Sequence, residues 1–168
     1  MEQLTHYNTN FNSKTFPITI ICDEVYLQDN IGSVFRVCDS FGIEKIIFTG
    51  ENFIFSERKI NKTSRNTHKK IPFEVISNKQ SVINSLQEID CIVIALEITT
   101  ISLSLQSLKE KFQKPVYLII GNEVNGISDE FLSISDKQIH IDMYGKNSSM
   151  NVSHSLAICL FHLINNNF

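Results

Sequence analysis

Apolar and polar positions alternate along the chain in short blocks, and the block lengths change between two periods. Residues 18–25, ITIICDEV, read as a strand, as do KIIFTG (45–50), IPFEVI (71–76) and KQIHIDM (137–143). CIVIALE (91–97) and PVYLIIG (115–121) are near-continuous apolar runs, the pattern of strands covered on both faces. Between them the period lengthens to that of a helix. In NIGSVFRVCDSFG (30–42), Ile31, Val34, Phe35, Cys38 and Phe41 share one face and Gly42 is the stop. Helical patterns also cover 81–89, 105–112, 128–134 and 152–164. Strand and helix in alternation predict an α/β fold: a mostly parallel sheet with helices on both faces. Residues 1–16 are polar, rich in Asn and Thr, and read as an N-terminal arm. Residues 17–168 form the single domain that 168 residues allow.

Composition narrows the class. The net charge of −3 gives no global attraction to nucleic acid. The four cysteines, at 22, 38, 91 and 159, have no metal-ligand spacing and sit in apolar runs, as reduced thiols of a cytoplasmic protein do. No metal site is expected. The first ten residues lack the basic start and apolar run of a secretion signal, and no apolar run is long enough to span a membrane. One segment departs from the average. Residues 57–70, ERKINKTSRNTHKK, carry Arg58, Lys59, Lys62, Arg65, Lys69 and Lys70 against Glu57. The local net charge is +5, leaving −8 on the rest. Such a run is commonly a solvated face. As a loop with interleaved hydroxyls and amides, it equally suits contacts to RNA phosphates.

In parallel sheets ligands bind beyond the C-terminal ends of strands. Three segments at such ends combine Gly, Asn and Ser: DNIGSVFR, GNEVNGIS and YGKNSSMNVS. They match no dinucleotide, P-loop or serine-hydrolase fingerprint, and no paired metal-ligating histidines occur. Glycine-rich, weakly charged loops bring backbone close to a ligand, and suit a purine and an amino-acid moiety better than a polyphosphate. Taken singly, Asn30, Ser149, Asn151 and Ser153 read as helix caps. Arg36 alone reads as a surface partner of Asp39 three residues on.

Together, and in this order, NIGSVFR, LIIGNEVNGIS and IHIDMYGKNSSMNVSHSLA resemble the three motifs of the SpoU (TrmH) family of SPOUT RNA 2′-O-methyltransferases. The resemblance runs from about Ile18 to the C-terminus, and INKTSRNTHKKIPFE is similar to a segment of the TrmH branch. It implies a SPOUT-type α/β knot, with the C-terminal segment threaded as a trefoil, a homodimer, and S-adenosylmethionine as cofactor. Carried across, cofactor contacts fall on Leu96, Gly121, Ile141, Ser149 and Met150. The catalytic positions fall on Asn30, Arg36, Glu123, Ser149 and Asn151. Two positions depart from the family's pattern: Asp142 stands where proline is usual, and Met150 replaces a common leucine. The implied reaction is methylation of a ribose 2′-hydroxyl, in tRNA and by weak resemblance at a D-loop guanosine, with rRNA as the runner-up. A non-catalytic RNA-binding module that keeps the fold is a second class, and a small-molecule binder a third. Because a guanidinium keeps its proton below about pH 12, Arg36 is expected to bind phosphate and stabilise a developing alkoxide rather than take a proton. His154, in the first turn of the last helix, is a minor candidate base. The last helix, with Leu156, Ala157, Leu160, Phe161 and Ile164, is apolar nearly all round and is expected to be buried, partly against a second subunit.

Overall fold

The computed structural model describes residue 9 and residues 11–168. A seven-stranded parallel sheet in the order β3-β2-β1-β6-β4-β7-β5 forms its centre. The strands are β1 (Phe16–Asp23), β2 (Ile43–Thr49), β3 (Phe73–Ile76), β4 (Ile92–Leu96), β5 (Leu103–Ser104), β6 (Val116–Ile120) and β7 (Lys137–His140). The helices are α1 (Gln28–Phe41), α2 (Glu57–Ser64), α3 (Lys79–Glu88), α4 (Asp129–Ile134) and α5 (Val152–Asn166). Alternate residues of β1 point to opposite faces. Ile18, Ile20 and Cys22 join α1, α2 and α5 in one core. Ile21 joins α3 and α4 in the other. Burial on both faces explains the uninterrupted apolar runs of β4 and β6.

Most of the sequence-based elements stand where the pattern puts them, with three corrections. Residues 105–112 do not form an α-helix. A 3-10 turn covers Leu105–Ser107, and the chain then runs irregularly to Pro115. Leu105, Leu108 and Phe112 are buried at helix-like spacing, but the segment's backbone groups bond elsewhere. The Leu108 carbonyl accepts from His162 Nε2 at 3.1 Å, the Glu110 carbonyl accepts from Asn167 Nδ2 at 2.6 Å, and Phe112 N–H donates to the Asn167 carbonyl at 2.8 Å. These bonds to the C-terminal end of the chain replace the i→i+4 ladder.

The basic segment 57–70 is not a loop: it is α2 followed by a 3-10 turn at Thr67–Lys69. Ile60 and Ser64 face α1, and Gly32 allows the close approach. A Cβ on Gly32 would stand 2.0 Å from Thr63 Oγ1 and 2.5 Å from the Ile60 carbonyl oxygen. Last, β7 ends at His140, three residues short of expectation, because the chain leaves the sheet to build a cavity wall. Of the expected N-terminal arm, residues 11–15 are irregular and Phe16 already pairs in β1; residues 1–8 and 10 lie outside the described residues.

Candidate active site

β1 lies between β2 and β6, so the chain fills the sheet outward from β1 in one direction and returns on the other side of β6. This is the topological switch at which parallel sheets open a crevice. A cavity of about 1200 Å³ lies there. Its walls come from the N-terminal turns of α1 and α5, Lys59 and Lys62 of α2, the end of β4, the loop after β6 and the segment between β7 and α5.

Each wall is set by local chemistry. β1 stops at Asp23 because Glu24 turns to a left-handed conformation with φ 56°. Asp23, almost fully buried, accepts from Ser128 N–H at 2.8 Å and lies 3.3 Å from Lys79 Nζ. Burial pulls the Lys79 ammonium down, but Asp23 and then Glu24 outweigh it, and the net shift is upward. After β6, residues 122–126 fold into a pinched loop. Asn122 N–H donates to the Gly126 carbonyl at 3.0 Å, and Gly126 N–H donates back at 2.9 Å. The Asn122 amide holds both ends of this turn. It donates to the Glu24 carbonyl at 2.8 Å and accepts from Val124 N–H and Asn125 N–H at 2.8 and 3.1 Å. Gly126 has φ 70°, a conformation that favours glycine. Glu97, directly after β4, braces the loop from below: its carboxylate accepts from Ile127 N–H at 3.0 Å and from Ile98 N–H at 2.9 Å.

Three distant loops meet at Asn30. Its amide donates to Glu123 Oε1, and its carbonyl oxygen accepts from Asn151 Nδ2 at 2.9 Å. Asn151 also caps α5, accepting from Ser153 N–H at 2.9 Å and Ser153 Oγ at 2.7 Å. Asn151 therefore both caps α5 and lines the cavity. Asn30 is not a cap; it sits inside the first turn of α1, buried, and ties the other two loops together.

Leu96, Gly121, Ile141, Ser149 and Met150 all line the cavity, as do Asn30, Glu123 and Asn151. Arg36 does not. It lies on the exposed face of α1, six residues and roughly 9 Å along the axis from Asn30. It makes no ion pair with Asp39, whose carboxylate is 4.0 Å from Lys70. The six basic residues of the α2 region divide. Lys69 pairs with Glu57 at 2.9 Å and Lys70 with Asp39. Lys59 and Lys62 line the cavity, and neither they nor Arg58 and Arg65 make an ion pair among the described residues. His154 is exposed and outside the cavity wall, whereas His140 is part of it. Sequence reasoning missed Asp23, Glu97 and Asn122 as supports; their signal was an acid or amide at, or within two residues of, the end of a buried strand. Among the described residues no cluster of metal-ligating side chains occurs, and no helix is long and apolar enough to cross a membrane.

The cavity offers apolar walls from Leu96, Ile120, Ile141, Met150 and Val152, together with the backbone of the Gly121–Gly126 turn. Of its three acids, Asp29, Glu97 and Glu123, the last two are engaged in holding loops. That lining suits a purine and an amino-acid moiety better than a polyphosphate.

Residues 17–161 match the model of the SpoU rRNA Methylase family. The chain is 27% identical over 145 residues to the tRNA (guanosine(18)-2'-O)-methyltransferase of Aquifex aeolicus, covering 86% of this chain and 67% of that protein. It is 24% identical over 148 residues to the 23S rRNA (guanosine-2'-O-)-methyltransferase RlmB of Ralstonia nicotianae, covering 88% of this chain but only 58% of that protein. In fold it resembles the AdoMet-bound rRNA methyltransferase from Sinorhizobium meliloti, with a TM-score of 0.83 at 22% identity over 92% of this chain and 58% of that one.

Proposed function

Because the chain belongs to the SpoU rRNA Methylase family, we propose that it methylates a ribose 2′-hydroxyl of RNA at the cavity described above, with S-adenosylmethionine as the methyl donor. The observation that carries this reading is the junction at Asn30, which joins the loops of all three motifs at the rim of one cavity. Bound there against Leu96, Gly121, Ile141, Ser149 and Met150, the cofactor would supply an electrophilic sulfonium methyl group.

The protein's own residues then have separable tasks. Asn30 fixes Glu123 and Asn151 and so sets the shape of the rim. The Ser149 hydroxyl, exposed and without a hydrogen-bond partner among the described residues, orients the ribose. Arg36, outside the cavity wall on the exposed face of α1, binds a phosphate of the substrate as the RNA crosses that face. Holding the ribose in line contributes on the order of several kcal/mol. RNA approaches over the outer face of α2, where Arg58, Lys59, Lys62 and Arg65 are free of acidic partners; Lys69 and Lys70 contribute less because Glu57 and Asp39 already neutralise them.

tRNA is the proposed substrate, with a D-loop guanosine as the nucleotide, supported by the name of the Aquifex relative. The proposal includes a trefoil knot in the C-terminal segment, supported by the insertion of β7 between β4 and β5 and the return of α5 onto α1. It includes a homodimer, supported by the outer face of α5, where Ile158 and Phe161 are 44% and 63% exposed. A tRNA substrate places the enzyme in the cytoplasm.

The test is to incubate the purified protein with methyl-labelled S-adenosylmethionine and unmodified tRNA or rRNA, separately, and to digest the RNA to nucleosides. Label in a 2′-O-methyl nucleoside of tRNA is the expected result. Label in rRNA alone overturns the substrate; cofactor binding with no transfer to either leaves an RNA-binding module.

A further inference from the structure

The cavity wall between β7 and α5 has an unusual support. Among the described residues, no hydrogen bond or ion pair involves residues 143–150, although Met143 and Asn147–Met150 line the cavity. Hydrogen bonds and ion pairs therefore hold this stretch only where it begins and ends. Its C-terminal root is Asn151, bonded to Asn30 and Ser153. Its N-terminal root is a polar cluster between β7 and β5. Asp142 accepts through Oδ2 from Ser104 Oγ, and its Oδ1 lies 3.6 Å from His140 Nε2. The other ring nitrogen, His140 Nδ1, is 2.9 Å from Ser102 Oγ, which in turn bonds the Thr99 backbone at 3.0 Å. Four side chains thus bind the departing strand to a neighbour that pairs through only Leu103 and Ser104.

We propose that Asp142 and Ser104 are positioning residues for the cofactor wall, acting as a latch that fixes the root of the 143–150 strap so that Ile141, Ser149 and Met150 stand at their cofactor positions. The proposal rests on the cofactor reading above. Neither side chain is in the cavity wall, so their effect passes through the strap. A carboxylate acceptor makes the Ser104 bond charge-assisted, stronger than a bond between neutral groups. Removing either partner loses the same interaction, so the two losses should not add.

The experiment is calorimetric titration of the full chain with S-adenosylmethionine, for wild type, Ser104→Ala, Asp142→Ala, the double variant and Asp142→Asn. Each alanine variant should bind about tenfold more weakly, with the double variant no weaker than the singles. Asp142→Asn, which keeps an acceptor for Ser104, should recover most of the affinity. Ser107→Ala is the control, because Ser107 bonds the Ser104 carbonyl and not the latch. Unchanged affinity in both alanine variants, or additive losses, would overturn the latch. A second readout needs no ligand: trypsin should cut after the exposed Lys146 faster in Ser104→Ala and Asp142→Ala than in wild type. Equal cleavage rates would also overturn it. A wild-type protein that binds no S-adenosylmethionine refutes the cofactor reading instead, and the cleavage rates still decide the latch.

Discussion

Replacing Gly121 by Ala probes the pinched loop with a single methyl group. The added Cβ would stand 2.3 Å from the Gly126 carbonyl carbon, 2.4 Å from Ile127 N and 2.5 Å from the Gly126 oxygen. All three are backbone atoms, so no rotamer change relieves the clash, and the two sides of the loop must separate by about an ångström to reach ordinary contact distance. Separation breaks the reciprocal bonds between Asn122 and Gly126 and strains the bond from Ile127 N–H to Glu97. At about 1 kcal/mol per bond, with about 1–3 kcal/mol for overpacking, the loss is about 3–5 kcal/mol. For a chain of this size that lowers Tm by about 6–20 °C. Urea and thermal unfolding measure the loss, and titration with S-adenosylmethionine should show at least tenfold weaker binding. Gly145→Ala is the internal control: its Cβ meets nothing within 4 Å, so stability should change by less than about 0.5 kcal/mol. A Gly121→Ala protein as stable as Gly145→Ala, with wild-type affinity, would refute the claim that this close approach shapes the cavity.

Other consequences are as direct. Lys59→Glu with Lys62→Glu should weaken RNA binding and flatten the plot of log affinity against log salt by about 1 for each phosphate no longer neutralised, while Lys69→Glu with Lys70→Glu changes both less; equal effects would contradict the proposed path over α2. Asn30→Ala leaves Glu123 and Asn151 without their shared partner, and should lower stability by about 1–3 kcal/mol in denaturant titration, with a larger fractional loss of methyl transfer than of fold. Lys79 is shifted up in the folded state, so its pairing stabilises the fold below the unfolded lysine value of about 10.4 and the benefit fades as pH rises through the folded value. The stability gap between wild type and Lys79→Met, followed by urea unfolding across pH, should therefore be constant near neutrality and shrink above about pH 10. Burial raises the pKa of all four cysteine thiols, with Cys22, Cys38 and Cys159 fully enclosed. A thiol reagent should label Cys91 alone and slowly in the native protein, and four thiols in denaturant.

The sheet was legible because its strands are buried on both faces and leave long apolar runs, and α1 because its buried residues keep helical spacing up to Gly42. The irregular 108–114 stretch was not, since Leu105, Leu108 and Phe112 mimic a helix while their backbone partners, His162 and Asn167, lie more than fifty residues away in sequence. α2 was hidden for the opposite reason: only Ile60 and Ser64 face the core, so no apolar period marks the helix. The motif residues were legible as three sets of amides, hydroxyls and glycines after strands. What joins them was not. Nothing in the local sequence links Asn30 to Glu123 and Asn151, or Glu97 to the Gly126 turn, because each contact is made by the parallel crossovers. Helical spacing already put Arg36 off the apolar face of α1; that this also sets it clear of the cavity wall shows only in the fold.

The central claim, that this cavity serves methylation of a ribose and not of a base, is tested most directly by alkaline hydrolysis. A 2′-O-methyl group removes the hydroxyl that cleaves the adjacent phosphodiester. Unmodified tRNA incubated with the protein and S-adenosylmethionine, then end-labelled and partly hydrolysed, should give a ladder with one missing band. A gap absent from the reaction with Asn151→Ala, or from one without cofactor, is the predicted result. A complete ladder from RNA that has nonetheless gained a methyl mass would place the methyl on a base and contradict the account.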